Sequence, residues 1–317
     1  MQNEEPIIHH LGDSISLIDL MEGGTEGRTG CYVIKAEKIA IVETGTSLSV
    51  PTILAGLEKL SINPNEVEYI IVTHIHLDHS GGVGTLLPSL PNAQVIVHQR
   101  GGKHLIDPSR LIAGARVVYG DEFESLFGEI IPVPEDKIMI KGEDDSIHLG
   151  GNRTLTFYDT PGHARHHFSI YDSVSCGIFT GDTVGVRYVT QYTGVDHELI
   201  LPIASPPEFD KQATLTSIAK LEKLQPKKIF HGHFGVTEPA STAFEKMKEG
   251  VEAFEKLVRE LYSPEVEISV IKDKLQEFIK QKYAKEGFKV DDLSCFNLDL
   301  ELNAQGLIYS INREVKS

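Results

Sequence analysis

Apolar positions along the chain follow two different periods. Short runs rich in β-branched residues at 15–20, 31–35 and 39–43 predict strands, each bounded by turn-forming residues. Over 49–60 the period changes: Val50, Ile53, Leu54, Leu57 and Leu60 share one helical face, with Pro51 at its start. The run Tyr69, Ile70, Ile71, Val72 predicts a buried strand, residues 83–87 a short helix and 93–98 another strand. From 101 to 127 the pattern is helical but less regular, broken at Pro108, and predicts an insertion placed to roof a pocket. Strands are predicted again at 137–140, 146–149, 154–159, 168–172 and 176–180, and a helix over 211–224 feeds a strand at 227–230. Two groups of strands separated by helices predict an α/β fold of two packed sheets with the helices outside.

Beyond Glu238 the strand pattern stops. Ala243, Phe244, Met247, Val251, Phe254, Leu257, Val258 and Leu261 keep a helical period, and further helices are predicted over 270–283 and 297–313. The expected division is therefore residues 1–238 and a helical extension, 239–317. Over 239–317 there are 12 Lys and Arg against 15 Asp and Glu, so most of the acidic excess lies in the first part.

Charge and cysteine content narrow the partners. A net charge of −16 argues against a nucleic-acid backbone as ligand, which needs a concentrated basic surface. It leaves room for a small-molecule substrate. Residues 1–5 lack the basic and apolar regions of a secretion signal, and no run approaches the ~20 apolar residues of a membrane span. Cys31, Cys176 and Cys295 are odd in number and far apart, which reads as reduced thiols in a cytoplasmic protein.

The chemistry concentrates at predicted strand ends. After Tyr69–Val72 come His74, His76, Asp78 and His79 within six positions, followed by Gly81 and Gly82. Imidazole nitrogens and carboxylate oxygens are the donors that suit zinc, manganese or iron, whereas a solvated loop gains nothing from such a cluster. Pro161-Gly162-His163, Gly181-Asp182 and Gly232-His233 each follow a later predicted strand. Each is weak alone; their order and spacing after the first cluster give them weight. No Gly-x-Ser-x-Gly or Cys–His arrangement offers a rival nucleophile.

Across about residues 10–240, these motifs resemble the metallo-β-lactamase superfamily. The resemblance implies an αββα sandwich of two mixed sheets with outer helices, followed here by a C-terminal helical subdomain. It implies that His74, His76 and His163 hold one divalent ion and that Asp78, His79 and His233 hold a second. Asp182 would bridge the two. The expected pair is Zn2+, with Mn2+ or Fe as substitutes. The implied activity is hydrolysis of an ester, thioester or lactone by a metal-bridging hydroxide, with Asp78 moving the proton. Two alternatives stay open: a mononuclear-iron, persulfide-dioxygenase-like oxidoreductase, and a non-catalytic module that holds metal to organise a binding surface. His167 and His231 are expected behind the ligands, orienting their imidazoles. Arg28, on a segment with four glycines in residues 21–30, is a candidate substrate contact, as are Arg187, Tyr188 and Tyr192 after Asp182. The competing expectation is that the arginines pair with acids such as Glu22 or Glu26. The chain departs from the usual superfamily pattern at Glu43 (commonly Asp), at His166 (commonly Gly) and at Gly185 (Tyr in some lactonases). The resemblance implies C-terminal helices of the kind that often cover the active site or make a homodimer, and the competing expectation is a packing subdomain without substrate contact.

Overall fold

The computed structural model describes residues 5–316. The reading of residues 1–5 as lacking a secretion signal falls almost wholly outside them. The first sheet is built in chain order from β1 (Ile8–Gly12), β2 (Ile15–Asp19), β3 (Gly30–Ile34), β4 (Ile39–Val42), β5 (Val67–Ile71), β6 (Gln94–His98) and β7 (Ile138–Lys141). The strands β1 to β4 pair antiparallel and β4 to β7 parallel. Next come β8 (Ser146–His148), β9 (Thr154–Asp159), β10 (Phe168–Asp172), β11 (Gly177–Phe179), a separate hairpin of β12 (Val186–Tyr188) and β13 (Leu199–Leu201), β14 (Lys228–Phe230) and β15 (Val236–Thr237). The second sheet has the order β15-β14-β11-β10-β9-β8, with β11 and β14 parallel. Both sheets are thus mixed and pack face to face with helices outside, as the strand grouping predicts.

The runs of β3 and β4 are continuous because these central strands bury both faces. In β3, Cys31 and Val33 join the layer under the outer helices, while Tyr32 and Ile34 point between the sheets. In β4, Ile39 and Ile41 face out and Ala40 and Val42 face in. The second sheet answers from its inner face with Phe157, Phe168, Phe179 and Phe230. The rings of Phe179 and Phe230 stack at 4.4 Å between centroids. Burying each such ring stabilises the sandwich by about 1.5–3 kcal/mol.

Sequence reading missed β1, β15 and the β12–β13 hairpin. The hairpin strands pair only with each other, apart from both main sheets, and β1 is a half-polar edge. The expected helices are present at Val50–Lys59, Lys211–Lys223, Ala240–Leu261, Ile268–Lys285 and Asn297–Lys316. The predicted insertion forms Gly102–Ile106, Ser109–Tyr119 and Phe123–Phe127. The helices after Pro239 share one core with the outer face of the second sheet and with the hairpin, through Phe244, Met247, Phe254 and Leu300 against Ile178, Ile229, Val186 and Leu201. Among the described residues no helix is long and apolar enough to cross a membrane. The cysteines are unpaired, Cys31 buried and the other two half-buried.

Candidate metal centre

Four segments deliver the polar side chains, each at the carboxyl end of a strand. After β5 the chain bends at His74 and is extended again at His76, and the short helix Leu77–Ser80 turns Asp78 and His79 back towards them. His163 follows β9, Asp182 follows β11 and His233 follows β14. Two glycines make this convergence feasible. Gly181 has φ +47°, and a Cβ there would lie 2.4 Å from Thr73 Oγ1 and 2.6 Å from His167 Nε2. Gly162 has φ +146°, and its Cβ would lie 2.5 Å from the Thr214 backbone. Only glycine satisfies both demands.

The seven side chains form two groups that meet at Asp182. On one side His74 Nε2 lies 3.1 Å and His163 Nε2 2.9 Å from His76 Nδ1, and Asp182 Oδ2 is 3.4 Å from His163 Nε2. On the other, His79 Nε2 is 3.4 Å from Asp182 Oδ1 and 3.6 Å from Asp78 Oδ2, while His233 Nε2 is 3.4 Å from Asp78 Oδ2. Asp182 thereby offers one oxygen to each group. His79 Nε2 and Asp182 Oδ1 are buried without a hydrogen-bond partner among the described residues. Such orphans are costly unless something else occupies the gap.

The electrostatics point the same way. Burial and the neighbouring imidazoles hold His74 and His76 well below the ordinary histidine range. Burial works to raise the Asp182 carboxyl, but His79, His233 and His163 against it hold it well below the usual range. Burial opposes charge on His233 too, yet Asp182 and Asp78 bring it up to about 9. The buried Asp182 and half-buried Asp78 carboxylates thus draw positive charge into a space lined with nitrogen donors. Dications answer that demand while leaving every imidazole neutral, so the donor set fits two metal ions. His74, His76 and His163 lie close enough to share one ion, and Asp78, His79 and His233 another.

The surrounding contacts fix ring orientation. His163 Nδ1–H donates to the Ile203 carbonyl at 2.9 Å, which leaves Nε2 with its lone pair towards the site. Glu43 reaches further than its departure from aspartate suggests: its Oε1 accepts from Thr73 Oγ1 at 2.5 Å and lies 3.5 Å from His79 Nδ1. Thr73 in turn contacts His74 Nδ1 at 3.1 Å. His167 stands behind Asp182, accepting its backbone N–H at 3.3 Å through Nε2. His231 turns away, with Nε2 2.9 Å from Thr237 Oγ1, while its carbonyl accepts from Tyr32. His166 lines the opening, 3.6 Å from the Glu208 carboxylate.

Above the ligands lies a cavity of ≈ 350 Å³, roofed by the insertion and walled by the C-terminal helix Asn297–Lys316. Arg28 borders it, but its guanidinium is committed, donating two hydrogen bonds of 2.7 and 2.6 Å to Asp299. Its partner is thus neither Glu22 nor Glu26. Arg187 does not face the cavity; it holds Glu198 at 2.7 Å and the Phe234 carbonyl at 3.2 Å. Tyr188 is buried, with its hydroxyl donating to Asp299 at 2.6 Å, and the Tyr192 hydroxyl donates to the Cys295 carbonyl at 2.9 Å. None of these three expected substrate contacts lines the cavity: Tyr188 and Tyr192 are held by the C-terminal segment, and Arg187 by Glu198 and the Phe234 carbonyl. Asp299 was missed: one acid on a polar helix gives no signal until its partner, 271 positions away, is known.

A family model described as the metallo-beta-lactamase superfamily matches residues 24–233. The metallo-beta-lactamase fold-containing protein ST1585 of Sulfurisphaera tokodaii is 30% identical over 212 residues, covering 66% of this chain and 73% of that protein. Its crystal structure superposes with a TM-score of 0.65 over 93% of this chain and 98% of the other, at 24% identity. The N-acyl homoserine lactonase AttM of Azorhizobium caulinodans is 30% identical over 116 residues, 37% of this chain and 40% of the lactonase. The flavodiiron core of Flv1 from Synechocystis shares the fold at a TM-score of 0.56 and 14% identity, over 80% of this chain and 62% of that one. With its strand-end ligand motifs and its two mixed sheets, the chain belongs to the metallo-beta-lactamase superfamily.

Proposed function

We propose that the chain is a binuclear metal-dependent hydrolase that cleaves an ester, thioester or lactone. The observation that carries this reading is the placement of Asp182, which turns one oxygen to each of two histidine groups at the floor of a cavity. When bound, two dications supply a water ionised near neutral pH and charge compensation for a carbonyl oxygen. Asp78 borders the cavity and is held below the usual carboxylate range: burial opposes this, but His79 and His233 prevail. It is therefore a carboxylate in the resting site and accepts a proton only transiently, as a shuttle to the leaving group requires. His167 holds the Asp182 backbone, and Ile203 holds His163, so the donors are fixed before substrate arrives. The likeness to a named lactonase supports the ester and lactone classes.

The test begins with protein purified without added metal. Metal analysis is expected to give two divalent ions per chain, and p-nitrophenyl esters, acyl thioesters and lactones are then screened with zinc, manganese or iron restored. One iron per chain together with oxygen uptake would overturn the hydrolase reading in favour of the iron oxidoreductase.

A further inference from the structure

The helix Ser109–Tyr119 behaves unlike the others that carry an apolar stripe. Ala240–Leu261 buries eight residues of its stripe, whereas Ser109–Tyr119 buries none. Yet Leu111, Ala115 and Val118 recur along one face of it, and that face lines the cavity above the metal ligands. The opposite wall presents Leu298 and Leu302 from Asn297–Lys316. Leu298 is 39% exposed although it borders the cavity. Several charged groups on the lining are already engaged. Arg28 is neutralised by Asp299, Glu22 accepts from Thr29, and Glu208 accepts the Arg165 backbone N–H at 2.9 Å. Arg110 is exposed at the rim. An aliphatic group entering between the two helices would therefore cover apolar surface on both sides without stranding a charge.

We infer that the cavity is an acyl-chain site, so that the substrate of the proposed hydrolase carries an unbranched aliphatic acyl group. The chain lies between Ser109–Tyr119 and Asn297–Lys316, and the carbonyl sits at the floor beside Asp78. This rests on the hydrolase reading for its reaction. Water adds its oxygen to the acyl carbon, and the acyl C–O or C–S bond breaks with its electron pair on the leaving atom. One proton of the water goes to that atom and the other is lost from the carboxylic acid product. The apolar walls set the preference for chain length, and the leaving group faces the open side.

Two measurements on the metal-loaded full chain test the inference. First, kcat/KM is compared for p-nitrophenyl acetate, butyrate, hexanoate and octanoate. Burial of each methylene is expected to raise it by about two- to fourfold until the cavity is full. In Ala115→Trp and Gly114→Trp, an indole occupies the space, and the octanoate-to-acetate ratio should fall at least about tenfold. Ala115 is half-exposed and a Cβ on Gly114 meets nothing within 4 Å, so both variants keep room to fold. Second, calorimetric binding of 1-octanol against 1-butanol reads the aliphatic site without any reaction, and the octanol preference should disappear in the same variants. Hydrolysis with a flat or falling chain-length series, unaltered in the variants, overturns the acyl site and leaves the hydrolase standing. Chain-length-dependent alcohol binding with no ester, thioester or lactone cleaved overturns the hydrolase and leaves the aliphatic site.

Discussion

Asp182 is the residue at which the two halves of the site depend on each other. Each of its oxygens faces a different group of imidazoles, so Asp182→Ala removes an anionic donor from both. Metal content should fall for both ions together, measured by elemental analysis after gel filtration; loss of only one ion would contradict the bridging role. Asp78→Asn, by contrast, should leave the far-ultraviolet circular dichroism unchanged and lower kcat, because it removes the proposed proton acceptor at the cavity floor. One layer out, Thr73 links the Glu43 carboxylate to His74 Nδ1. Thr73→Val keeps the shape and deletes the link, and metal affinity should drop roughly 10–100-fold in a chelator competition. An unchanged affinity would mean that packing alone orients His74. These positions also mark what the sequence reveals. His74, His76, Asp78 and His79 are legible because donors crowd a strand end where no structural role needs them. The contribution of Glu43 is not, since it depends on how far a longer side chain reaches once the strand is placed.

At the scale of elements, the Gly-rich segment, the β12–β13 hairpin and the last helix are tied through one carboxylate. Asp299 accepts from both Arg28 and Tyr188 while only 2% exposed, and the Arg28 side chain is 12% exposed. Burial opposes the charge on Arg28, but Asp299 holds its pKa well above the ordinary value, so the guanidinium stays charged. Removing one partner leaves the other buried and uncompensated. Asp299→Ala should therefore destabilise the chain by about 3–5 kcal/mol, read from urea unfolding. Arg28→Met combined with Asp299→Leu should recover much of that loss, because an apolar pair of similar volume strands no charge. Additive losses in the double variant would show that the pair is not coupled. The sequence gives Arg28 and Tyr188 as candidates near the site but assigns them to substrate. Their actual partner lies on a helix whose packing no local pattern reveals. Long strands and helices were legible because periodicity repeats within them, whereas β12 and β13 exist only through pairing with each other, apart from both main sheets.

For the whole molecule, the question is whether the helices after Pro239 form an appendage or part of the fold's foundation. The composition change at that point suggests a separable extension. The packing argues otherwise. Phe244, Met247, Val251 and Phe254 from Ala240–Leu261 close over Ile178 and Ile229 of the second sheet, and Leu300, Ala304 and Leu307 from the last helix join the same core. The last helix also caps the backbone near the histidine–aspartate cluster, where the Asn303 side chain accepts the Ala204 N–H at 2.8 Å. Ala204 follows Ile203, whose carbonyl orients His163. Cutting the chain after Glu238 would expose the outer face of β11 and β14 and leave Arg28 without Asp299. Each large side chain uncovered there forfeits about 1.5–3 kcal/mol, and a few of them exceed the usual margin of about 5–15 kcal/mol. A fragment of residues 1–238 should therefore be insoluble or lack cooperative thermal unfolding, and should bind fewer than two metal ions per chain. A soluble fragment with a sharp melting transition and full metal content would show that the extension is dispensable. In that case its influence on the cavity would reduce to the wall formed by Leu298 and Leu302, and the chain-length preference for acyl substrates should weaken in the fragment while hydrolysis of the acetate ester persists.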